Sequence, residues 1–450
     1  MKIRKLQLKN IGVFDDETIE FQPCPVKDKA EIHILTGQNG SGKTTILMAL
    51  ANSFTNFSTD TVNKSLYKRL NYKNKRSERI EFEDFKKYFC RLKVGLEGNA
   101  IIKLDLIEGS DFSVYFSHGD IINEEIKGYL QYIKYSNDFE NLKLSFAPFA
   151  FSGYRHIQSE RIEAIKEPKD FNPLSQSLEF VKDYNQENQL TINQLIANNI
   201  SKSAIEKGRN EEKSKRFANV IDTVEKAIFD ITNWKIEFDI ETEPTKLIIK
   251  INGEELDFDG LPDGLRSLIS WIADLLGRVD LLKWQDDLPI FEKNLILFLD
   301  EIEVHLHPAW QRKVLPVVQK LFKNSQIFVS THSPFVVNSV DDAWVYKLEL
   351  ENGKARVAEI VESENSNSIT QVLREVFGIE EWFGLEVQNN FERFKELKNK
   401  IISNGADENI EKELLEKGKI LADEPNDQLK QIIRKDLEEL SEIKNKPYTL

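Results

Sequence analysis

The sequence predicts an α/β fold with a mixed central sheet, an antiparallel side sheet, a helical insertion and a helical C-terminal tail. Three observations carry that prediction. Residues Gly37 to Thr45 read GQNGSGKTT directly behind the apolar run Ile32, Ile34, Leu35, the pattern of a phosphate-binding loop between a strand and a helix. Leu295 to Glu301, LILFLDE, is a continuous apolar run closed by two acids, as expected of a buried strand in a parallel sheet. QIFVSTHSP adds another buried strand, Ile327 to Ser330, ending in Thr331 and His332.

The elements follow in chain order. Apolar residues alternate at Leu6 and Leu8, a turn is expected near Asp15 and Asp16, and the alternation resumes at Ile19 and Phe21, which reads as strands leading into the loop. Glycines at 37, 40 and 42 let the backbone curl so that successive amides face phosphate oxygens, and the next helix adds its positive N-terminal end. Gln38, Asn39, Ser41 and Thr45 complete the cradle; Lys43 would reach the outer phosphates, and the Thr44 hydroxyl is an oxygen ligand of the kind magnesium takes. Helix 44–54 is expected to be amphipathic, with Ile46, Leu47, Leu50, Ala51 and Phe54 on one side. RLKVGLEGNAIIKLDLIEG and DFSVYFS read as side-sheet strands, and LSFAPFAFSGYR, 144–155, as a buried strand. These close an N-terminal lobe, 1–155.

Residues 156–235 are polar with intermittent three-to-four spacing, a helical insertion whose apolar positions keep no heptad and so predict no long coiled-coil arm. A C-terminal lobe, 236–364, opens with the hairpin pattern WKIEFDIETEPTKLIIKINGEEL and a loop entering an apolar helix over 265–278. The charged helical stretch 365–450 reads as a tail for assembly or partner binding.

Composition narrows the classes. A net charge of −14 argues against indiscriminate coating of nucleic acid, because such binding neutralises phosphates. No apolar run approaches a bilayer span and MKIRKLQLKN lacks a signal-peptide core, so a cytoplasmic protein without a membrane partner is expected. Cys24 and Cys90 fit neither a disulfide framework nor a zinc site.

The acids supply chemistry. Asp300 can hold magnesium, and Glu301 stands where a carboxylate beside the metal would act as general base toward water. His332, just past a strand end, points to the ligand edge of such a sheet and is read as a γ-phosphate contact. His305 and His307 in EVHLHP read as a connecting loop rather than a metal cluster with His332. Pro308 suits the first turn of the next helix, and Pro316 is expected to break or kink it.

As a set, GQNGSGKTT, LILFLDE, EVHLHP and STHSP resemble the ABC-type ATPases of the SMC, RecF and OLD-like group over about 1–55 and 255–345. The resemblance implies an ATP- and Mg2+-dependent head that works as a homodimer or higher homo-oligomer, with ATP enclosed between one copy's loop and the other's signature motif. LPDGLRSL, Leu261 to Leu268, occupies the signature place, where Asp263 and Gly264 would meet phosphate; Pro262 and Leu265 depart from the pattern, which implies slow turnover. Arg155 and Gln158 are candidates for the glutamine loop. With SITQVLREVFGI and the helical tail, the chain looks similar to PtuA-like ATPases of Septu and retron-associated anti-phage defence, which implies a separate HNH-type nuclease as effector. An alternative is a repair or chromosome-binding head touching DNA through the basic segment Lys64–Arg79, KSLYKRLNYKNKRSER. A transporter subunit is a third reading, disfavoured by the altered signature and the tail.

Overall fold

The computed structural model describes residues 2–24, 28–53, 100–106, 112–116, 121–122, 143–153, 173–174, 177–178, 191–243, 245–363, 366–378, 383–404 and 407–449. Phe54, Lys64–Arg79, Cys90, Arg155 and Gln158 lie outside them.

The central sheet has six strands in the order β14-β13-β3-β12-β11-β7: β3 is Glu31–Gly37, β7 Ala147–Phe151, β11 Leu295–Leu299, β12 Gln326–Ser330, β13 Trp344–Glu351 and β14 Lys354–Glu362. Every pairing is parallel except the β13–β14 edge hairpin, so the sheet is mixed as expected. The residues of β7, β11 and β12 are buried throughout, which is why they read as unbroken apolar runs. The parallel strands all end at the same edge, and that edge carries the site.

The side sheet is antiparallel, in the order β2-β1-β4-β5-β6, with β1 Ile3–Ile11, β2 Phe14–Glu20, β4 Ala100–Leu106, β5 Phe112–Phe116 and β6 Ile121–Ile122. Its first turn is not at Asp15 and Asp16, which lie within β2. The chain reverses at Gly12 and Val13, because Gly12 takes φ +54 and lets Ile11 pair with Phe14 across a two-residue loop. Helix α1, Lys43–Ser53, also departs from expectation: Ile46, Leu47, Ala49, Leu50 and Ala51 are all buried, so the helix is apolar on more than one side. It packs against β1-side residues such as Leu6 and Leu8 and against Phe298 and Phe328 of the central sheet, within one core, and so has a sheet on each flank.

Helices α2, Ile192–Glu206, and α3, Glu211–Thr232, lie within the stretch expected to be a helical insertion, where Pro173–Leu174 and Ser177–Leu178 are turns. They belong to the main core, where Ile192, Ile196, Val224 and Ile228 meet residues of β11 and of α4, Asp263–Leu281. A three-stranded meander, β8 Ile236–Thr242, β9 Thr245–Ile251 and β10 Glu254–Leu256, leads into α4. Helix α5, Pro308–Leu321, begins at Pro308 as expected but runs on through Pro316 without breaking, with Val314, Leu315 and Val318 buried on one face. Packing of that face outweighs the hydrogen bond that Pro316 cannot donate to Arg312. Short helices α6, Pro334–Val337, and α7, Ile369–Glu375, follow β12 and β14.

Residues Gly378–Leu450 form a separate compact unit. Its helices α8 Leu385–Asn404, α9 Glu408–Asp423 and α10 Asp427–Lys444 close around Phe394, Leu397, Ile401, Leu414, Leu421, Ile433 and Leu440. Among the described residues no helix is long and apolar enough to cross a membrane.

At the opposite end of β3 from the site, a buried polar network ties the N-terminal strand down. Gln326 exchanges hydrogen bonds with the Ile3 backbone at 2.7 and 2.9 Å, and its amide also donates to Glu31. Burial alone would raise the Glu31 carboxyl, but hydrogen bonds from His33 and Arg4 overcome it and hold the group down to about 2. A depressed folded value means the contribution is complete above the ordinary 4.5 and is lost as pH falls through about 2. Glu31→Gln should therefore lower Tm at neutral pH, by the equivalent of about 3 kcal/mol, and the gap to wild type should narrow as acid is added. Thermal unfolding followed by circular dichroism over that range checks it; a gap that widens would contradict the assignment.

Candidate active site

The phosphate loop is built by backbone conformations that side chains resist. Gly37 and Gly42 take φ +144 and +93, and a Cβ at Gly42 would meet the Phe14 ring at 2.5 Å, while one at Gly37 would meet the Leu348 carbonyl oxygen at 2.1 Å. Gln38, Asn39 and Gly40 are exposed at the rim, and Ser41 is buried with its hydroxyl unpartnered. Lys43 curls back across the loop, its Nζ 2.9 Å from the carbonyl oxygens of Gly37 and Gln38. Burial pulls its pKa down, against the pull of Asp300, Glu301 and Glu303 in the other direction.

The ends of β11 and β12 bring the second half of the site to this loop. Thr44 Oγ1 lies 3.0 and 3.1 Å from the two oxygens of Asp300, although 256 residues separate them in sequence. Asp300 is fixed from behind: its amide donates to the Phe151 carbonyl at 2.9 Å, and Ser330 Oγ donates to its Oδ1. The same Ser330 hydroxyl accepts the Glu301 amide at 2.9 Å. Glu301 takes φ +47, in the left-handed region, which turns the chain sharply after the strand. Its Cβ lies 2.8 Å from where a Cβ on Gly153 would stand, so Gly153 makes room for it at the end of β7. His332 stands at the end of β12, largely open to solvent, and the partial desolvation of its ring, with Lys43 nearby, lowers its pKa against the pull of Asp300, so the neutral imidazole is favoured at pH 7.

Ser330 was silent in the sequence, hidden as the last residue of an apolar strand. Ser330→Ala would leave the half-buried Glu301 amide and one buried Asp300 oxygen without this partner, and should cost about 1–3 kcal/mol in stability. Denaturant unfolding of the variant measures that cost; an unchanged midpoint would show the hydroxyl to be dispensable.

Lys43, Thr44, Asp300, Glu301 and His332 are thus gathered at one sheet edge. Thr44 and Asp300 present hard oxygen donors side by side, a donor set that fits magnesium. His305 and His307 do not join His332: His307 caps α5 by accepting the Ala309 amide, and among the described residues no group of three His, Cys, Asp or Glu could hold a metal ion. Asp263 and Gly264 form the first turn of α4, which starts two residues earlier than expected, so their amides lack intrahelical acceptors. Asp263 is exposed and bonds Arg266, and among the described residues neither bonds the phosphate loop of its own chain. Gly264 has a local reason to be glycine: a Cβ there would stand 2.5 Å from the His305 carbonyl oxygen.

A glycine-turned phosphate loop, an adjacent Thr–Asp pair and an acid at the strand end define a nucleotide-binding ATPase domain. The chain belongs to the AAA ATPase domain family, whose profile matches residues 1–337. It is 26% identical over 391 residues to the "Retron Vc95 probable ATPase" of Vibrio cholerae serotype O1 biovar El Tor, covering 75% of this chain and 72% of that one. It is 32% identical over 132 residues to the "Retron Ec83 probable ATPase" of Escherichia coli, covering 29% of this chain and 24% of that protein's length. Identity to "Septu protein PtuA" of Bacillus thuringiensis is 25% over 167 residues, 34% of this chain and 40% of the relative. Among solved structures, the SMC head bound to the C-terminal winged-helix domain of ScpA aligns with TM-score 0.43 at 13% identity, over 81% of this chain and 99% of that one. At that level the fold rests on the strand order and loop geometry described above.

Proposed function

We propose that this chain binds ATP with magnesium and hydrolyses it slowly, that it assembles as a homodimer or higher homo-oligomer through its ATPase edge, and that it controls a separate HNH-type nuclease in anti-phage defence. The observation that carries the catalytic part is the contact of Thr44 with Asp300, which joins the phosphate loop to the acid-tipped strand. In this reading the loop amides and Lys43 hold the phosphates, and Thr44 and Asp300 hold the metal. Bound magnesium neutralises charge on the phosphate oxygens. Glu301 takes the proton of the attacking water, and His332, neutral at pH 7, donates to a γ-phosphate oxygen. The Asp263 and Gly264 amides of a second copy complete the enclosure. Pro262 brings no hydroxyl to that place, in keeping with slow turnover. Likeness to the retron and Septu proteins supports the defence role.

Native mass measurement with and without ATP and magnesium tests assembly, and purification after co-expression with neighbouring genes tests for the nuclease. A monomer under both conditions removes the assembly, and folded protein that neither binds nor hydrolyses ATP removes the reading altogether. A second reading, direct DNA engagement, draws on a groove of about 760 Å3 between α3 and α5, where Lys226, Arg312, Lys313, Lys320 and Lys323 stand beside Asp230 and Glu292. Salt-dependent duplex binding weakened by Lys320→Glu with Lys323→Glu favours it; no binding at low salt ends it.

A further inference from the structure

Between the acid at the end of β11 and the start of α5 runs a short loop, Glu301 to Leu306, bracketed by two non-glycine residues in the left-handed region, Glu301 at φ +47 and His305 at φ +64. Such conformations cost energy and persist where surrounding contacts enforce them. Here the contacts run in two directions. On one side the His305 carbonyl oxygen lies against Gly264 in the first turn of α4, so closely that a Cβ there would stand 2.5 Å away. On the other side the loop grips the residues after β12 at two points. The Glu303 Oε1 accepts the backbone amide of His332. The Leu306 carbonyl accepts Gln311 Nε2 at 2.8 Å, and Gln311 Oε1 accepts the Ser333 hydroxyl at 2.6 Å.

Glu303 is an unusual residue for that task. The second oxygen of its carboxylate is buried. Burial raises its pKa; the His332 amide, its own amide and the Thr331 hydroxyl work against the rise, and the nearby Glu301 adds to it. An acid kept in such a place at that cost is explained if its hold on His332 is worth more than the burial it suffers.

We propose that Glu303 is the positioning residue for His332. The inference rests on His332 meeting the γ-phosphate, as argued under the proposed function.

The test uses the full chain and two variants. Glu303→Gln keeps an oxygen acceptor of the same shape, and Glu303→Ala removes it. In the nucleotide-free protein, hydrogen exchange of the His332 amide should quicken roughly 10-fold or more in Glu303→Ala and stay near wild type in Glu303→Gln. In steady-state hydrolysis, kcat should fall about 10-fold in Glu303→Ala with KM for ATP little changed, Glu303→Gln should restore most of it, and adding Glu303→Ala to His332→Ala should cost nothing further. Unchanged exchange in Glu303→Ala overturns the hold on His332, and additive losses in the double variant overturn its action through that ring. If Glu303→Ala does not fold, Glu303→Gln decides alone: wild-type exchange and kcat support the proposal, and loss of either defeats it. Should wild-type protein show no hydrolysis, the proposed function fails, whereas the exchange measurement still reports on Glu303.

Discussion

Lys43→Ala is expected to weaken ATP binding about 10- to 100-fold and to reduce hydrolysis by a further ~10²-fold or more. The side chain is largely buried, and its ammonium bridges the carbonyl oxygens of Gly37 and Gln38 at 2.9 Å each. Three carboxylates, those of Asp300, Glu301 and Glu303, act on it electrostatically and oppose the loss of its proton. Without it, a triphosphate would meet the carboxylates of Asp300, Glu301 and Glu303 with no ammonium between them, so the effect exceeds the loss of one hydrogen bond. Lys43→Arg should not restore activity, because a planar guanidinium cannot take the place of a compact ammonium among those carbonyls. Calorimetric titration with ATP and magnesium, followed by phosphate-release kinetics, checks both variants. Wild-type turnover in Lys43→Ala would show that the loop does not serve the nucleotide.

What the sequence disclosed and what it hid divide along a physical line. The phosphate loop was legible because its function resides in consecutive backbone amides, and the glycines that permit its shape stand beside one another at 37, 40 and 42. Asp300 and Glu301 were legible because they end an apolar run with no other polar residue in it. The contact of Thr44 with Asp300 was inferable from the pairing of the two motifs, and the parallel register of β3, β12 and β11 delivers it. Glu303 and Ser330 were invisible, since each gains its role from a neighbour on another strand end, and the second Glu in EIEVHLHP looks like loop surface. The amphipathic reading of α1 failed for a related reason: periodicity registers one buried face, whereas this helix touches both the side sheet and the central sheet. Pro316 misled because local propensity is weak against the burial of Val314, Leu315 and Val318 on the same helix.

Glu301→Gln should lower turnover by about 10²- to 10⁴-fold while leaving ATP affinity intact, since a general base acts on the transition state and contributes little to ground-state binding. The substitution is close to isosteric, and the features that place the residue are backbone features: the left-handed φ, the amide on Ser330 Oγ and the clearance that Gly153 provides. Structure should therefore be preserved and chemistry lost, in contrast to Asp300→Asn, which removes a charge from the oxygen pair beside Thr44 and should weaken the magnesium dependence of binding. The contrast separates the two acids experimentally. If the copies close around ATP, the Glu301→Gln protein should accumulate as an ATP-bound assembly in native mass spectra, because closure precedes hydrolysis and reopening awaits it. Single-turnover kinetics on the same sample measures the chemical step directly. Undiminished single-turnover rates would transfer the base to another group at the sheet edge, and a persistent monomer would confine the nucleotide to one chain.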